Sequence, residues 1–222
     1  MSVTELFEAC KDGNLERVKY LADRVNIRIN NNYAVQLASS YDRTEVVKHL
    51  VSLGADITAD NNRAVRWASK NGHLETVKYL VSVGANFRAD DEYAIRWASK
   101  NGHLDVVKYL ISIKADVKTS NDYAVRSASI NGHLELVKYL VSQGADIKAC
   151  NDEAVRWTSG NGHLETVKYL VSLGADISKI NPIYRKIIED EQKMVKRLSD
   201  DDMMDILIVP DIVHIISKYL VY

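Results

Sequence analysis

The sequence predicts an all-α protein that folds as a helical repeat solenoid, and two observations support this prediction. A histidine recurs every 30 residues, each time preceded by Asn-Gly and followed by Leu, at His73, His103, His133 and His163. The segments that begin at these Asn-Gly pairs are near-copies: NGHLETVKYLVSVGAN, NGHLDVVKYLISIKAD, NGHLELVKYLVSQGAD and NGHLETVKYLVSLGAD. Self-similarity at a period of about 20–50 residues is typical of repeat architectures.

Residues 1–29 are predicted to form an N-terminal capping repeat. The segment DGNLERVKYLADRVN (12–26) keeps the second-helix pattern of the repeat, one residue out of phase. Charged residues stand where water would wet a cap, at Glu5, Glu8, Lys11 and Asp12. A terminal repeat needs such a polar outer side because no further unit covers it.

Residues 30–179 are predicted to form five units of 30 residues, 30–59, 60–89, 90–119, 120–149 and 150–179. In the second of these units, Asn61 or Asn62 is expected to cap a first helix by accepting a hydrogen bond from an unpaired backbone N–H. The apolar residues of that helix fall at helical spacing, at Ala64, Val65, Trp67 and Ala68. Gly72 follows its last turn, where a left-handed residue favours Gly.

A second helix follows in each unit. In the second unit its apolar side is formed by Leu74, Val77, Leu80 and Val81, and Gly84-Ala85 ends it. Its other side carries a Lys three residues after an acid, a pattern shared by Lys48, Lys78, Lys108, Lys138 and Lys168, which predicts a solvated outer surface. Two helices of about nine residues cannot bury their apolar sides alone, so neighbouring units must stack.

The segment NGHLETVKYLVSLGAD resembles the second half of the ankyrin repeat, and the resemblance extends over about residues 5–180. The usual unit of that family has about 33 residues. Three residues are therefore missing from the loop between units, and the resemblance implies shortened loops with little or no β-hairpin. The family's Thr-Pro-Leu-His opening is absent, so its hydrogen bonds are not carried over. The even 30-residue spacing also resembles the ankyrin arrays of giant DNA viruses of the mimivirus type.

Composition and charge limit the classes of function that we expect. The 222 residues carry 29 basic and 30 acidic side chains, without the basic excess that nucleic-acid or anionic-membrane binding usually requires. No apolar run approaches the roughly 18 residues of a membrane span, and the N-terminus does not resemble a secretory signal. Cys10 and Cys150 follow no ligand spacing and are interpreted as free thiols in a reducing compartment. We expect an intracellular, cytoplasmic, monomeric protein with no cofactor.

The best sign of a recognition surface is variation between otherwise uniform copies. The first-helix entry position is occupied by Tyr33, Arg63, Tyr93, Tyr123 and Glu153. Two turns later the column contains Ser40, Lys70, Lys100, Ile130 and Gly160. Neutral drift of a solvated surface would also produce this variation. The resemblance favours recognition, because ankyrin proteins bind partners with the concave side built from loops and first helices.

Three further columns each allow two interpretations. Trp67, Trp97 and Trp157 are either packing residues, which we favour, or anchors for a partner. Arg66, Arg96, Arg126 and Arg156 either pair with acids of neighbouring units such as Asp60 and Asp90, which we favour, or face an acidic partner. The histidines are expected to bond loops rather than a metal, because stacked helices lie too far apart for shared ligation. No nucleophile elbow, phosphate loop or dinucleotide motif indicates an enzyme.

Residues 180–222 are predicted to form a C-terminal helical cap. Asn181-Pro182 is a good cap and first-turn pair that opens the charged helix YRKIIEDEQKMVKRL. The segment 203–222 contains Pro210 and an apolar helical pattern. It either covers the last repeat or acts as a ubiquitin-ligase adaptor box, since it loosely resembles an F-box helix and the end of a suppressor-of-cytokine-signalling box. The leading prediction is a non-enzymatic scaffold that binds a protein partner.

Overall fold

The structure, a computed structural model, describes residues 2–200. Twelve helices form six consecutive pairs: α1 (Val3–Asp12) with α2 (Leu15–Ala22), α3 (Ile29–Ser40) with α4 (Thr44–Ser52), α5 (Ala59–Lys70) with α6 (Leu74–Ser82), α7 (Ala89–Lys100) with α8 (Leu104–Ser112), α9 (Thr119–Ile130) with α10 (Leu134–Ser142), and α11 (Ala149–Gly160) with α12 (Leu164–Ser172). A 3₁₀ turn (Ile177–Lys179) leads to α13 (Pro182–Asp200). No strand occurs in this range, so the predicted all-α solenoid with shortened loops is confirmed.

The helix pairs stack into a row with one continuous core. The first helices α3, α5, α7, α9 and α11 each contact the next, and the second helices form a parallel layer. In each of the five 30-residue units the first helix buries one to three alanines beside a Val or Ile, as with Ala64, Val65 and Ala68, whereas the second helix buries a Val and a Leu, such as Val77 and Leu80. Small side chains allow the first helices to approach closely. The buried residues form a single cluster that extends from α1 to α13.

Each of the five first helices opens with three consecutive residues in the left-handed region, at 30–32, 60–62, 90–92, 120–122 and 150–152. Asn and Asp dominate these triplets because their short polar side chains tolerate this conformation best after Gly. The expected capping of the first helix by Asn61 or Asn62 is therefore wrong. The Asn62 Oδ1 instead accepts a 2.8 Å hydrogen bond from the Asn86 N–H of the following loop.

This inter-unit hydrogen bond recurs in every unit and we call it the loop ladder. In each case the third residue of the triplet accepts from the backbone N–H 24 residues later. The pairs are Asn32 with Asp56 (2.8 Å), Asn62 with Asn86 (2.8 Å), Glu92 with Asp116 (3.4 Å), Asp122 with Asp146 (2.8 Å) and Asp152 with Asp176 (3.2 Å). The ladder satisfies a backbone donor in the short loop, which has no hairpin partner.

The histidine column binds backbone of the preceding unit. The Nε2 atoms of His73 and His133 lie 2.9 Å and 3.0 Å from the carbonyl oxygens of Ser40 and Lys100. Burial lowers the pKa of His103, and a hydrogen bond with the Lys70 backbone opposes this shift. These contacts confirm the expected loop hydrogen bonding for His73, His103 and His133.

The helix α13 packs on the last repeat. Its first turn is capped by Asn181, whose Oδ1 accepts a 2.9 Å bond from the Ile183 N–H, as predicted. Ile188 is buried in the core cluster, and Glu191 lies 2.6 Å from the Lys168 Nζ of α12. The predictions for 203–222 lie outside the described residues. Over residues 2–200, each helix is too short or too polar to cross a membrane.

Candidate functional site

The structure places all ten predicted partner-binding residues on the first helices of the repeats. They are Tyr33, Arg63, Tyr93, Tyr123, Glu153, Lys70, Lys100, Trp67, Trp97 and Trp157. Within one helix, Arg63, Trp67 and Lys70 are separated by four and three residues, so they lie along one side. Because α3, α5, α7, α9 and α11 are neighbours in order, their equivalent side chains form a common surface, which we call the first-helix face.

Cations and aromatic rings alternate on this face. Trp97 is at the centre of the cluster: its ring stacks on Tyr93 at a centroid distance of 5.3 Å. The Lys70 and Lys100 ammonium groups lie 5.0 Å and 4.5 Å from the same indole. Arg63 approaches Trp67 at 4.0 Å. Burial raises the pKa of Tyr93, and its phenol stays protonated at neutral pH.

The tryptophans do not belong to the core. Trp67 and Trp97 are half-buried, and Trp157 is 52% exposed. The favoured packing interpretation is therefore wrong for Trp157 and incomplete for the other two. The physical reason is that Ala and Val on the same helices already fill the space between units, as Ala154 and Val155 do beside Trp157.

Most side chains of the arginine column bond to other groups of the same chain. The Arg66 Nη1 lies 2.6 Å from the Asp90 Oδ2 of the next unit, and Arg126 pairs with Glu153 in the same way. Arg96 donates to the backbone carbonyl groups of the 90–92 triplet at 2.6 Å and 2.8 Å. The predicted pairing with acids of neighbouring units is thus confirmed for Arg66 and Arg126, whereas Arg96 bonds the backbone of its own unit. The Arg156 side chain is exposed, and its guanidinium lies 5.7 Å from the centroid of the Trp157 ring.

These pairs divide the predicted site into engaged and free residues. Glu153 is engaged by Arg126, and Arg63 lies 2.7 Å from Asp60. In contrast, Lys70 and Lys100 have no carboxylate within ion-pair distance among the described side chains. Four of the five outer-surface lysines are matched as predicted, in the pairs Lys48 with Glu45 (2.7 Å), Lys78 with Glu75 (2.7 Å), Lys138 with Glu135 (2.8 Å) and Lys168 with Glu165 (3.8 Å). The fifth, Lys108, lies instead 5.8 Å from the centroid of the Tyr139 ring.

Sequence reasoning missed the acids that shape this face. Asp91, in the middle of a left-handed triplet, accepts hydrogen bonds from the Ser120 and Thr119 hydroxyl groups of the next unit. The Ser120 bond is the main cause of the lowered pKa of Asp91. The available signal was the recurrence of Asn and Asp at the start of each unit, but these residues were interpreted as helix caps.

Comparison with known proteins agrees with this architecture. A family model described as "Ankyrin repeats (3 copies)" matches residues 2–61, 58–121, 95–181 and 127–206. Among solved structures, the human ASB11 ankyrin repeat domain is similar, with a TM-score of 0.72 and 20% sequence identity. The match covers 82% of this chain and 93% of that domain, and at this identity it shows a shared fold.

Proposed function

Since the chain belongs to the ankyrin-repeat family, we propose that it is a non-enzymatic scaffold that binds a partner protein through the first-helix face. The observation that carries the proposal is the contrast between two lysine sets. Four of the five outer-surface lysines lie within ion-pair distance of the acid three residues before them, whereas Lys70 and Lys100 both approach one indole and have no carboxylate within ion-pair distance among the described side chains. Aromatic residues are enriched at protein interfaces, and an unpaired charge beside them complements an opposite charge on a partner.

The ten predicted residues have different roles under this proposal. Tyr93, Tyr123, Trp157 and the two lysines offer surface to a partner. Arg63 and Glu153 contribute shape, because their charges are already paired within the protein. Aromatic side chains supply most binding energy in interfaces of this kind, so we expect them to dominate affinity.

A triple variant tests the proposal. Tyr93→Ala, Tyr123→Ala and Lys100→Ala together should abolish partner capture in an affinity purification from the native cell. The matched control is Lys48→Ala, Lys78→Ala and Lys138→Ala on the outer surface, which should retain the partner. Unchanged far-UV circular dichroism of both variants excludes unfolding. Equal capture by the two variants would remove the first-helix face from consideration.

The setting of this activity is part of the proposal. We place the protein inside a cell, in the cytoplasm, as a monomer without nucleic-acid or membrane partners. Cys10 and Cys150 are free thiols, which suits a reducing compartment. Burial raises the pKa of the Cys10 thiol to about 12, which keeps this thiol protonated and unreactive. The even 30-residue spacing supports a viral source of the mimivirus type and, with it, a partner in the host cytoplasm.

In a second candidate function, the segment 203–222 binds a subunit of a ubiquitin ligase and the first-helix face binds the substrate of that ligase. Its support is the loose sequence resemblance around Pro210 to adaptor boxes. A pull-down against ligase scaffold subunits, with the full chain and with a chain that ends before Pro210, tests it. Recovery of a scaffold subunit by the full chain alone would support the adaptor function, and recovery by neither chain would exclude it.

A further inference from the structure

We propose that the ligand of the first-helix face is an acidic linear segment of the partner protein. One of its Asp or Glu side chains binds at Lys70 and Lys100, and a bulky apolar residue about five or six positions away packs on Trp157 and Ile130. The inference rests on the proposed function and adds to it the chemistry and the spacing of the ligand.

The two lysines form a site for one negative charge. Their ammonium groups approach the same Trp97 ring at 5.0 Å and 4.5 Å. They therefore lie closer together than the Debye length of about 10 Å at 0.1 M salt, and their mutual repulsion is only partly screened. Both side chains are half-buried. A carboxylate placed between the two ammonium groups offsets this repulsion.

The other end of the face lacks the two lysines, and its cation is the exposed Arg156, whose guanidinium lies 5.7 Å from the centroid of the Trp157 ring. In the column that holds Lys70 and Lys100, the next two units have Ile130 and Gly160. A side chain at Gly160 would meet no atom within 4 Å, which shows open space beside Trp157. The 52% exposed Trp157 has no aromatic ring against it among the described residues. An aromatic side chain exposed beside open space is a typical anchor for an apolar group of a partner.

The distance between the two subsites sets the spacing of the ligand. Trp97 and Trp157 occupy equivalent positions two units apart. Packed helices lie about 8–10 Å apart, so the two subsites are separated by roughly 16–20 Å. An extended chain advances about 3.3–3.6 Å per residue, and about five or six residues therefore join the acidic and apolar positions.

Acids along the face disfavour a nucleic-acid ligand. Asp60 and Asp90 remain 40% and 46% exposed beside their arginine partners. A phosphate backbone that followed the lysines would approach these carboxylates, whereas a peptide carries its charge at one side chain and avoids them.

A displayed library of random 12-residue peptides, selected against the immobilised full chain, tests the inference. We expect enriched peptides to contain Asp or Glu five or six positions from Trp, Phe or Leu. Binding of the best peptide should weaken about 100-fold in the variant Lys70→Glu, Lys100→Glu, since two attractive contacts become repulsive. The matched control, Lys48→Glu with Lys78→Glu, should bind it within about 2-fold.

Three results would overturn the inference. They are enrichment of basic or uncharged peptides, absence of any enrichment, and displacement of the peptide by a single-stranded 12-mer oligonucleotide at comparable concentration. If any of these occurs while the triple variant Tyr93→Ala, Tyr123→Ala, Lys100→Ala still loses the cellular partner, only the acidic-segment inference fails. If that triple variant keeps the partner, the proposed function fails as well.

Discussion

Replacing Glu92 by Asn should stabilise the protein, because Glu92 makes the weakest bond of the loop ladder. Its carboxylate lies 3.4 Å from the Asp116 N–H, whereas Asn62 in the preceding unit makes the same bond at 2.8 Å. The side chain is buried, with 8% of the residue exposed, and its Oε2 has no hydrogen-bond partner. Glu92 also has a φ of 57°, a left-handed conformation that Asn tolerates better than Glu.

The magnitude follows from these contacts. A buried polar atom without a partner costs about 1–3 kcal/mol, and more when it is charged. The substitution removes the 3.4 Å contact between Glu92 and the half-exposed Arg88, and such exposed ion pairs contribute about 0–1 kcal/mol. We expect a net gain of about 1–2 kcal/mol. For a chain of this length that corresponds to a rise of about 2–8 °C in Tm.

The gain should depend on pH. Burial raises the pKa of Glu92 above its ordinary value of 4.5, and the nearby Asp116 and Asp91 carboxylates add to the rise. An acid with a higher pKa in the folded than in the unfolded chain destabilises the fold as pH rises from 4.5 through its folded pKa, because the unfolded chain releases the proton first. The advantage of Glu92→Asn is therefore greatest at pH 7 and shrinks as pH falls toward 4.5.

Urea unfolding followed by circular dichroism at pH 7 and at pH 4.5 measures the effect. The matched control is Asp122→Glu, which installs the longer acid where Asp122 now makes a 2.8 Å ladder bond. It should destabilise the protein by about 1–2 kcal/mol. A Glu92→Asn variant no more stable than the unmodified protein, together with a neutral Asp122→Glu, would refute the idea that the ladder bond limits stability.

Four other substitutions have expected outcomes. Lys114→Gly should raise the free energy of unfolding by about 0.5–1 kcal/mol in urea titration, because Lys114 has a φ of 73° at a position where other units have Gly. Gly102→Ala should cost about 2–3 kcal/mol, since its methyl group would lie 2.7 Å from the His133 ring. Gly84→Ala should cost only about 1 kcal/mol, because its methyl group would meet no atom within 4 Å. Equal losses of stability in Gly102→Ala and Gly84→Ala would contradict the importance of the His133 contact. Ile188→Ala should open a cavity beneath α13, cost about 2–5 kcal/mol and reduce amide protection in the last repeat. Unchanged hydrogen exchange in that repeat would show that α13 does not stabilise the repeat.

The helix pairs could be predicted because the same apolar pattern occurs six times in the sequence. Positions that must fit the same space, such as Val77 and its equivalents, stay apolar in every copy, and their spacing indicates which side of each helix is buried. The role of the repeated histidine could also be predicted. Each of these histidines directly follows a Gly, and a side chain at that position has only the adjacent unit to contact. Stacking thus makes local pattern and tertiary contact agree.

The start of the first helix could not be predicted from local preference. Asn at a helix start normally caps its own helix, and nothing within the 60–62 triplet shows that Asn62 bonds to Asn86 instead. The partner is 24 residues away and approaches only after two units have stacked. The tryptophans misled for a related reason: helical spacing indicates a side of a helix, but it does not reveal that smaller residues have already filled the space between units.

Under the proposed function, the short loop explains why we assign recognition to the first helices. In units of the usual length, residues of the inter-unit loop extend beyond the helices and are available to a partner. Here three residues are missing, and the loop is held against the next unit by the ladder, for example between Asp122 and Asp146 at 2.8 Å. A loop fixed in this way cannot reach outward. The proposed recognition surface therefore lies along the first helices, where the chain changes from Lys70 and Lys100 to Ile130 and Gly160.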